Sequence, residues 1–193
     1  MNASGGKILD LRVLGDPILR QETRVVESVT DELRHLIDDM FETMHRARGI
    51  GLAAPQVGRT ERIAVADVEG GGKSPIVLVN PVVVSASSAT AKAEEGCLSV
   101  PDVFGDVVRP ESVVIRALDR EGKEFEMEAS ELLARCFQHE IDHLHGKLFL
   151  DYLSVLKKRS AMSKWSKVKD RYPGYIRRLT DEEVAEHHSD EEL

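Results

Sequence analysis

Cysteine is scarce in this chain, and its scarcity is informative. There are two in 193 residues, Cys97 and Cys136, in unrelated contexts. That excludes a disulfide framework and leaves each thiol to act alone. Long apolar runs are absent: nothing approaches the roughly 18–20 residues of a membrane span, so no membrane partner is expected. The opening residues Met1–Lys7 lack the charged start and apolar stretch of a secretory signal, which makes the cytoplasm the expected location. No internal repeat is visible, and no linker precedes residue 171. With 41% hydrophobic and 31% charged residues, the chain reads as one soluble globular domain long enough to bury a sizeable core.

What is present centres on residues 138–143, Gln138-His139-Glu140-Ile141-Asp142-His143. Ser130 reads as an N-cap and Gly146 as a stop, with Leu132, Leu133, Cys136 and Phe137 forming an apolar stripe at helical spacing. Residues four apart on a helix lie one above the other, so His139 and His143 aim their imidazoles at one spot. Glu140 then reaches a water held there. This is the His-Glu-x-x-His arrangement, in which two imidazoles bind a metal and the carboxylate is a general base.

A third ligand is needed. Cys136 shares the helix face but stands about 10.5 Å of helix rise from His143, too far for one ion bound at about 2.0–2.3 Å by each. It is expected to be a small apolar core residue, and His145 faces away. Cys97 is the strongest candidate.

Around this motif the spacing predicts a helix over 30–48, capped by Thr30, with Leu33, Leu36, Ile37, Met40 and Met44 inward and His35 and His45 on the solvated side. Gly49–Gln56 reads as a loop whose two glycines let the backbone approach another group closely. The Gln56 amide can donate to a carbonyl oxygen acquiring charge. A dinucleotide site is a poor alternative there, because the third glycine and the preceding strand are missing. Strands are expected at 62–68, 75–79, 82–85, 107–108, 113–118 and 124–128, with a loop over 86–94 and a hairpin turn at 119–122. The expected class is α+β: mixed or antiparallel strands packed around a central metal-binding helix, with an N-terminal helix and a C-terminal helix. Residues 1–170 form the expected catalytic domain, with the last helix from about 154, and 171–193 a charged, flexible tail.

Three separated segments, Gly49–Gln56, Glu95–Ser99 and Gln138–His143, resemble the three signature motifs of the peptide deformylases, in the right order. The resemblance runs from about residue 8 to 160, through Gly15-Asp16-Pro17 and Gly146-Lys147-Leu148-Phe149. It implies hydrolytic removal of the formyl group from the N-terminal formylmethionine of new polypeptides, releasing formate. It further implies metal ligands Cys97, His139 and His143, with Glu140 as acid and base. Gln56 and the Leu98 N–H would bind the formyl oxygen. Gly51, with Ile50 and Gly96, would contact the substrate backbone, and Ile50, Leu132, Cys136 and His139 would line a pocket for the methionine side chain. Glu95 reads either as a carboxylate orienting a ligating imidazole or as an exposed loop charge. Arg135 has no assigned role. Where some deformylases place an early arginine to grip the peptide, Asp102–Asp106 has none, and Arg109 is the substitute candidate.

Cys and two His with an open position suit Zn²⁺. The resemblance implies one divalent metal per chain, Fe²⁺ in the cell, with Zn²⁺, Ni²⁺ or Co²⁺ able to occupy the site. Two other readings compete: a zinc peptidase, which also uses His-Glu-x-x-His but commonly takes a histidine or carboxylate as third ligand, and a non-catalytic metal module. The latter needs a fourth protein ligand that no spare Cys supplies.

The net charge of −8 hides an asymmetry. Residues 154–178 carry nine Lys or Arg against Asp170 alone, whereas residues 179–193 carry seven acids and neither Lys nor Arg. The basic stretch, with Lys157, Lys158, Arg159, Lys164, Lys167 and Lys169, resembles the C-terminal helix by which bacterial deformylases dock on the ribosome, and suits RNA phosphates. The acidic stretch from Asp181 is expected to temper that attraction. No DNA partner is expected.

Overall fold

The computed structural model describes residues 6–180. Two helices sit where the periodicity places them: α1 (Asp31–Arg46) and α2 (Glu131–Leu144). On α1, the Thr30 hydroxyl accepts from the Leu33 N–H, and Asp31 and Glu32 complement the positive end of the helix. Ser130 does occupy the N-cap of α2, but its hydroxyl makes no capping bond. Gly146 ends the helical stretch with φ +67°, and a Cβ there would lie 2.6 Å from the Arg20 carbonyl oxygen, so only glycine fits.

Five antiparallel strands form the main sheet: β2 (Gly51–Ala53), β3 (Ile63–Ala66), β4 (Ile76–Ala86), β7 (Ser112–Leu118) and β8 (Glu124–Ser130), in the order β2-β3-β4-β7-β8. The side chains of β3 alternate between two cores. Ile63 and Val65 join the α1 cluster with Leu36, Ile37, Met40 and Met44. Ala64 and Ala66 join the α2 cluster with Cys136, Phe137, Ile141 and Leu144. Each large side chain fully buried in this way contributes about 1.5–3 kcal/mol.

A second sheet pairs β5 (Thr90–Glu95) with β6 (Gly105–Pro110). The expected loop over 86–94 is therefore wrong for its second half: Thr90–Glu95 carries almost no β-branched residue, and its pairing with Gly105–Pro110 fixes it as a strand. The expected break at Asn80-Pro81 is also wrong. β4 runs through it with a bulge, two residues opposite the single Ala117, which is where a sheet tolerates proline. Asn80 adopts φ +52° there, and its side chain bonds both the N–H and the C=O of Val26. Likewise Gly51–Ala53, read as loop, is an edge strand.

The last helix, α3 (Val155–Val168), starts after Ser154, whose hydroxyl caps Lys157. It covers a third core of Val13, Val107, Leu148 and Phe149 with Ala161 and Trp165. Beyond it, β9 (Ile176–Arg177) pairs with β1 (Leu11–Arg12). Residues 171–180, placed by sequence in the charged tail, thus carry a strand, while residues 181–193 lie outside the described residues. No helix is long and apolar enough to cross a membrane.

Candidate metal centre

On α2 the four-residue spacing places His139 and His143 on one face, their Nε2 atoms 3.2 Å apart. The turn after β5 brings in Cys97, held by a bond from the Val100 N–H to the Cys97 carbonyl. The Cys97 sulfur lies 3.3 Å from His143 Nε2, and the three donor atoms all fall within 4.8 Å of one another. Two imidazole nitrogens on one tetrahedral ion stand about 3.3 Å apart, so this thiolate and imidazole set fits a divalent cation. Cys136 stays outside the cluster, its Sγ 3.4 Å from the Ile50 carbonyl.

A buried charge network holds the imidazoles. Glu95, the last residue of β5, is 5% exposed and accepts from His139 Nδ1 at 3.0 Å, which turns His139 Nε2 toward the cluster. Burial alone would raise Glu95; bonds from His139 and Arg109 outweigh it and hold the carboxyl at about 2. Arg109 grips both Glu95 oxygens, at 2.6 and 3.0 Å, and reaches Asp142 at 2.8 Å. It is 4% exposed and packs over the Tyr152 ring, so the expected peptide-gripping role for Arg109 is wrong: its charge is spent inside. Arg135 donates to Glu95 at 2.6 Å and to the carbonyls of Ala91 and Val107, tying α2 to both strands of the small sheet. Tyr152 closes the network on Asp142 at 2.8 Å. Burial and the neighbouring charges of His139 and Arg109 push His143 well below its ordinary value, toward the neutral, ligating imidazole.

Sequence reasoning missed Asp142 and Tyr152. The available signal was spacing: Arg135, His139 and Asp142 recur at i, i+4 and i+7, which puts both charges on the face of a ligating histidine.

Glu140 is 4% exposed, and its Oε2 meets no hydrogen-bond partner among the described residues. Burial pushes its carboxyl up to about 7, against the pull of His139. Gly51 makes room for it, since a Cβ there would strike Glu140 Oε1 and the Cys136 sulfur. The Gln56 side chain is oriented by the Ala53 N–H, which donates to its Oε1 at 2.8 Å. That directs Nε2 toward Ser99 Oγ at 3.2 Å and Cys97 Sγ at 3.5 Å. Ser99, fully buried, was not anticipated.

These groups open onto one cavity of about 660 Å³. Ile50, Gly51, Gln56, Gly96, Cys97, Leu98, Leu132, Cys136, His139 and Glu140 all line it, while His143 sits behind. Phe104, not anticipated either, packs where a Cβ on Gly96 would fall. A closed structural metal site would not face such a space.

The family model for polypeptide deformylase matches residues 8–159. The chain is 49% identical over 162 residues to a peptide deformylase of Rhizobium meliloti, covering 83% of this chain and 93% of that one. It is 51% identical over 162 residues to that of Alkalilimnicola ehrlichii, covering 83% and 90%. The crystal structure of a peptide deformylase from Legionella pneumophila superposes with a TM-score of 0.81 at 50% identity, over 84% of this chain and 96% of that one. A peptide deformylase from Synechococcus elongatus, in complex with actinonin, does so at 0.78 and 43%, over 83% and 91%. With a Cys–His–His cluster beside a buried glutamate, and a match spanning most of its length, this chain belongs to the polypeptide deformylase family, metallohydrolases that remove the N-formyl group from nascent polypeptides.

Proposed function

We propose that Cys97, His139 and His143 hold one divalent ion, Fe²⁺ in the cell, and that the surrounding side chains deformylate the N-terminal formylmethionine of new chains. When bound, the ion supplies Lewis acidity to the attacking water and to the formyl carbonyl. Glu140 takes the proton of that water as it attacks the formyl carbon. The carbon–nitrogen bond breaks, Glu140 delivers the proton to the departing nitrogen, and formate and a free amine result. Gln56 Nε2 and the Leu98 N–H bind the formyl oxygen as it gains charge, each such donor contributing about 2.7–4 kcal/mol. Ile50, Leu132 and Cys136 take the methionine side chain, and Gly51 and Gly96 allow the peptide backbone to lie close.

What supports these roles is one juxtaposition: the Cys97 sulfur and two imidazole nitrogens within 4.8 Å, next to a buried carboxylate oxygen that bonds to nothing else described. The test is anaerobic loading with Fe²⁺, Zn²⁺, Ni²⁺ or Co²⁺ and measurement of formate released from formyl-Met peptides. Formate release that depends on the metal, highest with Fe²⁺, is expected. A fully loaded chain that releases none contradicts the reading.

The reading extends to a reducing, cytoplasmic setting and to the ribosome. Arg159, Lys164, Lys167 and Lys169 on and just after α3 are exposed, as contacts to RNA phosphates require. Cosedimentation with ribosomes that weakens as salt rises is expected; indifference to salt counts against it.

A further inference from the structure

One aromatic side chain at the mouth of the cavity takes no part in the deformylation reading above. Phe104 lines the same cavity as Glu140 and Cys97 and is 57% exposed. All five phenylalanines of the chain lie among the described residues, and the other four are buried or half-buried. Its neighbours fix its place. Val103 packs into the third core with Val107, Leu148 and Phe149, and its N–H donates to the Val100 carbonyl. Gly105 opens β6 opposite Glu95, pressed so closely on Leu153 that a Cβ there would lie 2.8 Å from Leu153 Cδ2. The backbone is anchored on both sides of Phe104, and its ring projects from a held position.

Carrying the β5–β6 register one step past Glu95 and Gly105 sets Phe104 opposite Gly96. The ring takes up the space that a side chain at 96 would fill, since a Cβ on Gly96 would lie 2.6 and 2.8 Å from two ring carbons. Gly96 stands between Glu95 of the charge network and the ligand Cys97, and its bare backbone is where the peptide lies close in the reading above. The stretch 102–106 that carries the ring holds no arginine. A phenyl group beside the peptide track offers no hydrogen bond. It offers apolar area, which an apolar or aromatic side chain covers at a gain and a polar one does not. Ile50 and Leu132, the other exposed large apolar residues of this cavity, are taken by the methionine side chain, which leaves Phe104 for a different residue of the substrate.

We propose that Phe104 is a specificity-determining residue: its ring receives the side chain that follows formylmethionine and favours apolar over polar residues there. This rests on the deformylation reading above, because that reading lays a formyl peptide along Gly96. Successive side chains of an extended peptide point to opposite sides, so the second residue does not share the methionine's pocket and needs a contact of its own. The ring is open to solvent on its outer side, which makes that contact one-sided and the preference modest.

The test uses the full-length, metal-loaded protein and two peptides, formyl-Met-Leu-Ser and formyl-Met-Asn-Ser, whose second residues differ in polarity more than in bulk. One aromatic contact predicts roughly a three- to tenfold preference in kcat/KM for the leucine peptide. Phe104→Ser is expected to bring that ratio close to one, and Phe104→Tyr, which keeps the apolar ring, to preserve most of it. The ratio is taken on a single protein preparation, so a loss of metal or of folded protein lowers both rates and leaves it unmoved. A Phe104→Ser variant that keeps the wild-type ratio overturns the proposal, even if its activity on both peptides falls. Formate release from wild type at equal kcat/KM for the two peptides overturns the proposal alone. Wild-type protein that releases formate from neither overturns the deformylation reading and the proposal with it.

Discussion

Replacing Glu95 by glutamine changes one oxygen to an NH₂ and probes the whole site. Glu95 accepts four bonds: two from Arg109, one from Arg135 and one from His139 Nδ1. A glutamine keeps one acceptor oxygen, and its amide group must face Arg109 together with either Arg135 or His139, donor against donor. Breaking a buried charge pair costs about 3–5 kcal/mol. Arg109 retains Asp142 at 2.8 Å, which places the loss near the lower end, about 3 kcal/mol. For a chain of this size that corresponds to roughly 6–12 °C in melting temperature. The lost restraint on His139 should weaken the metal by roughly 10- to 100-fold. Thermal unfolding of the metal-free protein and competitive titration against a chelator read the two effects separately. If Glu95→Gln melts within about 2 °C of wild type and binds metal equally well, the network does not position the ligands.

Other expectations follow from the same geometry. Glu140→Ala should bind metal with wild-type stoichiometry yet lose at least about 10²–10⁴-fold in kcat, and a metal-loaded variant with full turnover removes Glu140 from the reaction. Gly51→Ala should displace Glu140 or Cys136 at a cost of about 1–3 kcal/mol, with a fall in kcat; unchanged stability and turnover would mean that the close approach is not needed. Burial and its bond to Asp142 raise Tyr152 to about 12, so its neutral form stabilises the fold below pH ~10 and that contribution is lost as pH rises toward 12. In a phenolate absorbance titration, Tyr152→Phe should remove the most alkaline component; loss of one titrating near pH ~10 contradicts the Tyr152–Asp142 bond.

The chemistry of the centre was more legible in the sequence than its support. Two imidazoles at i and i+4 are a local property of a helix, so the pair could be placed without knowing the fold. Cys97 could be reached because only one other cysteine competes, and rise along α2 argues against it. The Thr30 cap of α1 and the glycine stop of α2 are equally local. What failed was non-local. Thr-Ala-Lys-Ala-Glu-Glu has no strand signature of its own and is a strand because Gly105–Pro110 pairs with it. Arg109 looked available to a peptide because nothing in its neighbourhood shows that Glu95 and Asp142 converge on it from 14 and 33 positions away. The C-terminal segment announced its charge but not its place, since only two residues of β9 pair with β1.

X-ray absorption on the anaerobically metallated protein tests the central claim most directly. The account predicts one sulfur at about 2.3 Å and two imidazole nitrogens at about 2.0–2.1 Å from the ion, with the sulfur signal lost in Cys97→Ser and retained in Cys136→Ser. A shell without sulfur, or one whose sulfur disappears with Cys136 instead, contradicts it.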